Sequence, residues 1–376
     1  MVSHIKRPQV EATILAQLKA QGVPLSSASS ECQDDACQED CDFSYGRATD
    51  KEIDQESKLL GTVNAYARLV VCSTGASDWT RDVMDDQSSL AFTIEAQYSK
   101  QLKALPERIR RPAKPRAGSS FMQKLGLSKA AEEERSGVHP SLVRESDGDE
   151  ALPSNVTILN GSHLSTPSSQ SVLIFPDYKI ITRVKNEPEP VADLVQRHLV
   201  STTRRTGQLD PASHERSQPL PYLVTMLVCS HKRRDKKCSI AAPLLIDKIK
   251  EECSHEGWEV DEHLDEIDEK PIEDYAIDAE QTGAAVENRL REISEDTRHA
   301  RVAVVKCSHI GGHRYAGNVI LAFPQGTMVW YGRVTPGDIK QIFEQTIKNG
   351  KIIPDLLRGG IGITRAPGCV KGLNEW

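Results

Sequence analysis

Short apolar runs recur along this chain of 376 residues, and each has the length of a buried β-strand. None approaches the roughly 18 uncharged apolar residues that a bilayer-spanning helix needs. Strands buried on both faces have such continuous runs, and segments with helical spacing alternate with them. The pattern predicts an α/β protein with a mixed sheet, and the runs are ARLVVCS, NVTILNG, SVLIFPDYKII, PYLVTMLVCS, RVAVVKC, NVILAFP and TMVWYGRV.

Shifts in composition predict two domains and three segments outside them. Residues 1–57 are polar, acidic and Ser-rich, which predicts a mobile arm. Residues 58–215 form the first predicted domain, with a disordered insertion at about 106–155 that is rich in charge, Ser, Pro and Gly. Residues 216–350 form the second domain, and residues 351–376 are predicted to be a tail.

The second domain has the element order of a thioredoxin-like fold. PYLVTMLVCS is a strand that ends at Cys229, and a basic loop leads to Cys238. A helix follows, with Pro243 placed in its first turn, where the missing N–H costs little. An acidic helical stretch, a strand, a hairpin and a last helix complete the domain. We predict a thioredoxin-like fold here and a second one in the first domain.

The charge balance argues against a nucleic-acid partner. Lys and Arg total 47 against 54 Asp and Glu, so the formal charge is −7, opposite to that of a chain that wraps phosphates. The start MVSHIKRPQV lacks the apolar run of a secretory signal. We therefore expect a cytoplasmic protein without a membrane span. A mitochondrial presequence in residues 1–20 is the minor alternative, since arginine is scarce there and Glu11 interrupts the pattern.

Two pairs of metal-ligating residues stand at predicted strand ends. Nine cysteines, an odd number, favour reduced thiols and metal binding over disulfides. Cys229 and Cys238 enclose eight residues, and His309 and His313 enclose Ile-Gly-Gly. Two glycines cost about 1 kcal/mol each in a helix, so His309–His313 is predicted to be a loop after the RVAVVKC strand. If the two strands are close, two thiolates and two imidazoles face one site.

Thiolates and imidazoles suit zinc or an iron–sulfur cluster. Structural zinc sites usually take ligand pairs separated by two to four residues, so a loop of eight is wide for one ion. A two-iron cluster, whose ligands are further apart, fits the spacing better. A zinc-stabilised interaction module with the same ligands is the alternative, and the colour of the protein would separate the two.

Three motifs give this chain a specific resemblance. VCSHKRRDKKCSIAAP, SHIGGHRYAGNVI and WYGRVTP, in this order, resemble the sucrase/ferredoxin-like family over most of the second domain and only loosely over the first. The resemblance implies a thioredoxin-like ferredoxin domain that holds a [2Fe-2S] cluster on two cysteines and two histidines outside the Rieske fold. Carried over to this chain, the ligands are Cys229, Cys238, His309 and His313. No carboxylate pair indicates glycosidase activity.

A rival ligand set uses His231 and Cys307. Cys307-Ser-His309 repeats the pattern Cys229-Ser-His231 and is similar to the Cys-x-His of Rieske sites. The spacing of a second Rieske loop is absent, which disfavours this set.

The other cysteines have simpler interpretations. Cys72, Cys253, Cys307 and Cys369 are predicted to be inert thiols, as buried free cysteines usually are. Cys32, Cys37 and Cys41 lie in the acidic arm and are predicted to be exposed or redox-active thiols. The chain has no Cys-x-x-Cys motif, which argues against a thioredoxin-type thiol oxidoreductase.

The predicted function is one-electron, proton-coupled transfer or redox homeostasis, without an organic substrate of its own. The basic loop Lys232–Lys237 lies between two proposed ligands and could dock an acidic redox partner. Asp235 is predicted to hydrogen-bond a ligand histidine. Glu375-Trp376 resembles the acidic and aromatic C-terminal signal by which the assembly machinery recognises cytosolic iron–sulfur proteins.

Overall fold

The computed structural model describes residues 10–26, 45, 47–64, 66–104, 156–165, 169–201, 205–265, 267–275 and 279–364. The predicted insertion at 106–155 lies outside these residues. So do Cys32, Cys37, Cys41, Cys369, Glu375 and Trp376. Within the described part of the chain, no helix is long and apolar enough to cross a membrane.

The elements follow the predicted alternation of strands and helices. The helices are α1 (Ala12–Ala20), α2 (Arg47–Glu52), α3 (Leu90–Ala104), α4 (Pro188–Leu194), α5 (Lys236–Glu256), α6 (Ala279–Glu295) and α7 (Pro336–Gln341). The strands are β1 (Arg68–Ser73), β2 (Val156–Gly161), β3 (Gln170–Phe175), β4 (Lys179–Val184), β5 (Arg216–Pro219), β6 (Val224–Cys229), β7 (Glu259–Asp261), β8 (Arg301–Cys307), β9 (Val319–Ala322), β10 (Met328–Tyr331) and β11 (Leu357–Ile361).

The first half of the chain is a thioredoxin-like unit. β1 and β2 are parallel and joined through α3, as a crossover connection requires. β3 pairs antiparallel with β1, and β4 pairs antiparallel with β3, before α4 follows. The strand order is therefore β2-β1-β3-β4.

The second half repeats this arrangement strand for strand. β6 and β8 are parallel, β9 is antiparallel to β6, and β10 is antiparallel to β9, so the order is β8-β6-β9-β10. α5 follows β6 and α7 follows β10. The chain is thus a mixed α/β protein in which both halves have the predicted thioredoxin-like order. We call them the first and the second repeat.

The two repeats share one continuous sheet, joined where β2 meets β8 at the antiparallel pair Gly161 and Cys307. The hydrogen bonds on either side are reciprocal. The N–H of Ser162 donates to Lys306 O at 2.9 Å, and the N–H of Ser308 donates to Asn160 O at 2.8 Å. An approximate twofold relation between the repeats follows. The predicted domain boundary near residue 215 stays a prediction.

The predicted arm and the predicted tail each contain an ordered element that packs on the second repeat. In the predicted arm, α1 packs Ile14 and Leu18 into the apolar cluster of the second repeat. In the predicted tail, β11 forms the edge of the sheet beside β10. Gly359 and Gly360 of this strand pair with β10, and a side chain on Gly360 would collide with Ile363. Because glycines occupy these positions, the sequence shows no apolar strand pattern there.

Candidate metal centre

The two thiols of the candidate site come from the end of a strand and the start of a helix. Cys229 is the last residue of β6, and its N–H donates to Asn318 O at 3.1 Å. Cys238 lies in the first turn of α5, because the helix begins at Lys236 and is capped by the Asp235 carboxylate. The prediction that placed Pro243 in the first turn is wrong, since Pro243 lies inside the helix.

The Cys229 and Cys238 thiols lie within hydrogen-bond reach of each other. Both side chains are buried, at 2% and 1% exposure. The Cys238 thiol and then the His309 side chain hold the pKa of Cys229 well below its usual range, whereas the neighbouring Cys229 raises the pKa of Cys238. Cys229 is therefore the more acidic thiol of the pair.

The His309–His313 segment is a loop, as predicted. β8 ends at Cys307, directly beside Cys229 in the parallel register, and the loop follows two residues later. Gly311 and Gly312 have φ of 76° and 67°, a conformation that glycine adopts readily. The two imidazole rings lie 5.3 Å apart between centroids. The structure therefore brings the predicted residues to one end of the sheet.

A buried arginine supports this loop from β11. Arg358 is 0% exposed and donates to Gly311 O at 3.2 Å, Asn318 Oδ1 at 2.8 Å and Thr62 O at 3.0 Å. Burial lowers the pKa of Arg358 to about 10, and the proximity of Cys229 opposes that shift. Arg358 thus places a buried cation near the thiols, a role that the sequence analysis missed.

His231, a member of the rival ligand set, has both ring nitrogens engaged. Its Nδ1 accepts the His309 N–H at 3.3 Å, and its Nε2 lies 3.0 Å from Trp79 O. The carbonyl can only accept, so Nε2 carries the proton. The other member, Cys307, packs in a different apolar cluster from Cys229. Burial raises the pKa of Cys307 well above its usual range. These contacts argue against the rival set, and the predicted ligands stay a prediction.

A segment of the first repeat closes one side of the site. Ser230 Oγ donates to Ser77 O at 3.1 Å, and the Arg233 N–H donates to Asp78 Oδ1 at 3.1 Å. The Trp79 ring meets His231 edge to face at 5.7 Å between centroids. Residues 77–79 therefore hold the start of the basic loop in place.

Two further predictions concern single residues near the site. Asp235 does not serve as the predicted histidine partner in the described contacts. Its carboxylate accepts the Lys237 N–H at 2.9 Å and lies 3.1 Å from Lys237 Nζ. Cys72 and Cys253 are buried core thiols, and burial raises the pKa of each to about 12, which agrees with the interpretation of both as inert.

The donor set fits a group that binds soft sulfur and borderline nitrogen. Among the described residues, the buried His309 Nδ1 has no hydrogen-bond partner, and such an atom needs a ligand or a water to offset its desolvation. Each of the paired thiols can lose its proton to solvent and bind a metal as a thiolate. Among the described residues, no three His, Cys, Asp or Glu side chains converge as one metal-ion site.

The corresponding strand ends of the first repeat carry different residues. Thr74 N donates to Gly161 O as Ser230 N donates to Cys307 O, so Ser73 occupies the place of Cys229. His163 follows Gly161 by two residues, as His309 follows Cys307. The first repeat thus keeps a histidine but has a hydroxyl where the second repeat has a thiol.

His163 should make the protein less stable in acid. It is 0% exposed, neither ring nitrogen has a hydrogen-bond partner in the described structure, and burial lowers its pKa to about 3. The unfolded chain binds a proton below about pH 6.5, whereas the folded chain does not. Between about pH 7.5 and about pH 5, we expect this residue to reduce the free energy of unfolding by about 2 kcal/mol.

Urea denaturation of the parent and His163→Leu at both pH values measures this effect. His163→Leu should lose that part of the pH dependence. His299→Leu, at a side chain 85% exposed, is the control and should keep it. Equal pH dependence in the parent and His163→Leu would contradict the prediction.

Fold and site together define a class of protein: a doubled thioredoxin-like chain with two thiols and two imidazoles near one edge of its sheet. The family model described as Sucrase/ferredoxin-like matches residues 59–359, and the chain belongs to this family.

Several curated proteins are similar to the chain. Altered inheritance of mitochondria protein 32 of Debaryomyces hansenii is 25% identical over 347 residues, 86% of this chain and 92% of that protein. The Clavispora lusitaniae protein of the same name is 28% identical over 54% of this chain and 64% of its own length. Actin patches distal protein 1 of Saccharomyces cerevisiae is 29% identical over 32% of this chain and 29% of its own length. No solved structure matches.

Proposed function

We propose that the chain holds a [2Fe-2S] cluster on Cys229, Cys238, His309 and His313 and acts in one-electron transfer or redox homeostasis. One observation carries the proposal: a buried thiol at the end of β6 lies next to a second buried thiol at the start of α5, and two neighbouring imidazoles lie in the loop after the adjacent parallel strand β8. Mixed ligation by thiolate and imidazole is typical of clusters with raised potentials.

When bound, such a cluster accepts and returns one electron, above the potential of plant-type ferredoxins because neutral imidazoles replace two thiolates. The chain's own residues set its surroundings. Cys229 and Cys238 exclude water from the sulfur side because both are buried. Arg358 supplies a buried positive charge. The His313 ring is exposed, so the ring nitrogen that would not ligate iron can exchange a proton with water. Proton-coupled electron transfer requires such an exchange.

Metal analysis tests this proposal. Protein purified without oxygen from iron-replete cells should be red-brown, with about two irons and about two acid-labile sulfides per chain. Iron, sulfide and zinc are measured on the same sample, together with the visible spectrum. Colourless protein with stoichiometric zinc would overturn the cluster and favour the zinc-stabilised interaction module.

A thiol oxidoreductase is a second candidate, because Cys229 and Cys238 touch despite their separation in sequence. The two thiols would form a disulfide by giving two electrons and two protons to a disulfide oxidant such as oxidised glutathione. Iron-free protein treated with oxidised glutathione would then lose two thiols reversibly. This result, in protein that binds no iron when reconstituted, would favour the second candidate.

We place the protein in the cytoplasm, with the mitochondrion as the alternative. Delivery of the cluster by the cytosolic assembly machinery through Glu375-Trp376 belongs to the same proposal. Deletion of these two residues should lower the iron content of protein made in cells without changing reconstitution in vitro.

A further inference from the structure

The basic loop and an exposed apolar patch adjoin the candidate site. Ile240 and Leu244 are each 38% exposed, and with Leu164 they are the large apolar side chains most exposed in the described part of the chain. They are four residues apart on α5, so they lie on one face of the helix. Lys236 lies four residues before Ile240, so it is on the same face of α5 and extends this face toward the loop.

The charged part of this surface is the loop before α5. Lys232, Arg233, Arg234 and Lys236 are exposed, although the whole chain has a net charge of −7. Arg233 is 66% exposed even though it lies 3.6 Å from Asp78. The loop therefore forms a local positive field on an acidic protein, which attracts a partner of opposite charge.

His313 is the most exposed of the four predicted ligands and lies beside this loop. The His309 N–H donates to Nδ1 of His231, which directly precedes this loop, and the His313 ring lies 5.3 Å from the His309 ring between centroids. Cys229 and Cys238 are buried, so a partner can approach the site most closely at His313.

We propose that Lys232–Lys236, Ile240, Leu244 and His313 form the docking surface for an acidic one-electron carrier protein. The inference rests on the proposed function. The positive loop meets the acidic rim of the partner and the apolar pair meets its centre, the usual arrangement of polar rim and apolar core. The electron passes between the partner's redox centre and the cluster through the His313 side, with the cluster reduced by one electron and the carrier oxidised by one.

Stopped-flow reduction of the full chain by a plant-type ferredoxin, an acidic carrier of lower potential, tests this surface. The second-order rate should fall steeply from about 0.01 M to about 1 M salt, because the Debye length shortens from about 30 Å to about 3 Å. The double variant Arg233→Glu and Arg234→Glu should reduce the rate about tenfold or more at low salt. The parent and this variant should converge at high salt.

Matched controls separate the surface from overall charge and from folding. Arg291→Glu with Arg298→Glu makes the same charge change at exposed positions in and after α6, which packs in the cluster of Cys307. This control should keep more than half of the parent rate. Ile240→Ser with Leu244→Ser should lower the rate at both salt concentrations, whereas Leu164→Ser, at a side chain 44% exposed, should not.

Each outcome has one meaning. The visible spectrum of every variant is recorded first, and its absence in the parent contradicts the proposed function itself. A parent that has the spectrum but a rate equally sensitive to both arginine pairs overturns the docking surface and leaves the proposed function standing. A loss confined to the arginine variant, with no effect of the serine changes, also overturns it, because a field alone then explains the rate.

Discussion

Cys229→Ser and Cys238→Ser should each abolish cluster assembly and remove the visible absorption. A serine hydroxyl is a hard oxygen donor that stays protonated near neutral pH, so it replaces a soft thiolate poorly. Both cysteines lie where the backbone is well held, one at the end of β6 and one in the first turn of α5. The measurements are iron and sulfide content, the visible spectrum and circular dichroism of each variant.

Cys307→Ser is the matched control for these changes. Cys307 is as buried as Cys229 and pairs with it in the register of β6 and β8. Its thiol lies in the other apolar cluster, so we expect a nearly intact spectrum. His231→Asn should likewise keep the cluster, because an amide oxygen can still accept the His309 N–H. A colourless Cys307→Ser together with a coloured His313→Ala would replace the predicted ligands with the rival set.

Gly312→Ala should disrupt the histidine loop and destabilise the whole protein. A β-carbon at this position would overlap the Arg358 guanidinium, and φ of 67° strains any L side chain. We expect a loss of about 2–4 kcal/mol in the free energy of unfolding and a large loss of bound iron. Urea denaturation and iron content measure the two effects.

Gly257→Ala isolates the backbone part of this effect. Gly257 has φ of 72°, close to that of Gly312, but no heavy atom lies within 4 Å of the added carbon. It should cost only about 1 kcal/mol and leave the iron content unchanged. If both glycine variants lose the same stability and the same iron, the Arg358 contact does not position the loop.

The sequence predicted those features of the site that depend on neighbouring residues in the chain. The apolar runs of β6 and β8 predict buried strands, and the two glycines between His309 and His313 predict a loop. Parallel neighbours place their carboxyl ends at the same edge of a sheet. The thioredoxin-like order, and the presence of both motifs near one edge of the sheet, could therefore be predicted without coordinates.

The supporting residues could not be found in this way, because their contacts join distant parts of the chain. Arg358 contacts Gly311 across 47 residues and Thr62 across 296. It lies in a Gly-rich strand without an apolar pattern. The contact between His231 and Trp79 spans 152 residues and joins the two repeats. Asp235 is a typical N-cap residue and marks the start of α5 at Lys236. The charged residues around it made this start hard to recognise in the sequence.

The position of Arg358 has a consequence for how the site is made in the cell. A chain emerges from the ribosome beginning with its N-terminal residues, and its parts fold in that order. Cys229, Cys238 and the histidine loop are all synthesised before the arginine that holds the loop from β11. Under the proposed function, the loop takes its final form only after translation has passed residue 358. Iron and sulfide would then enter the site only after residue 358 has been synthesised.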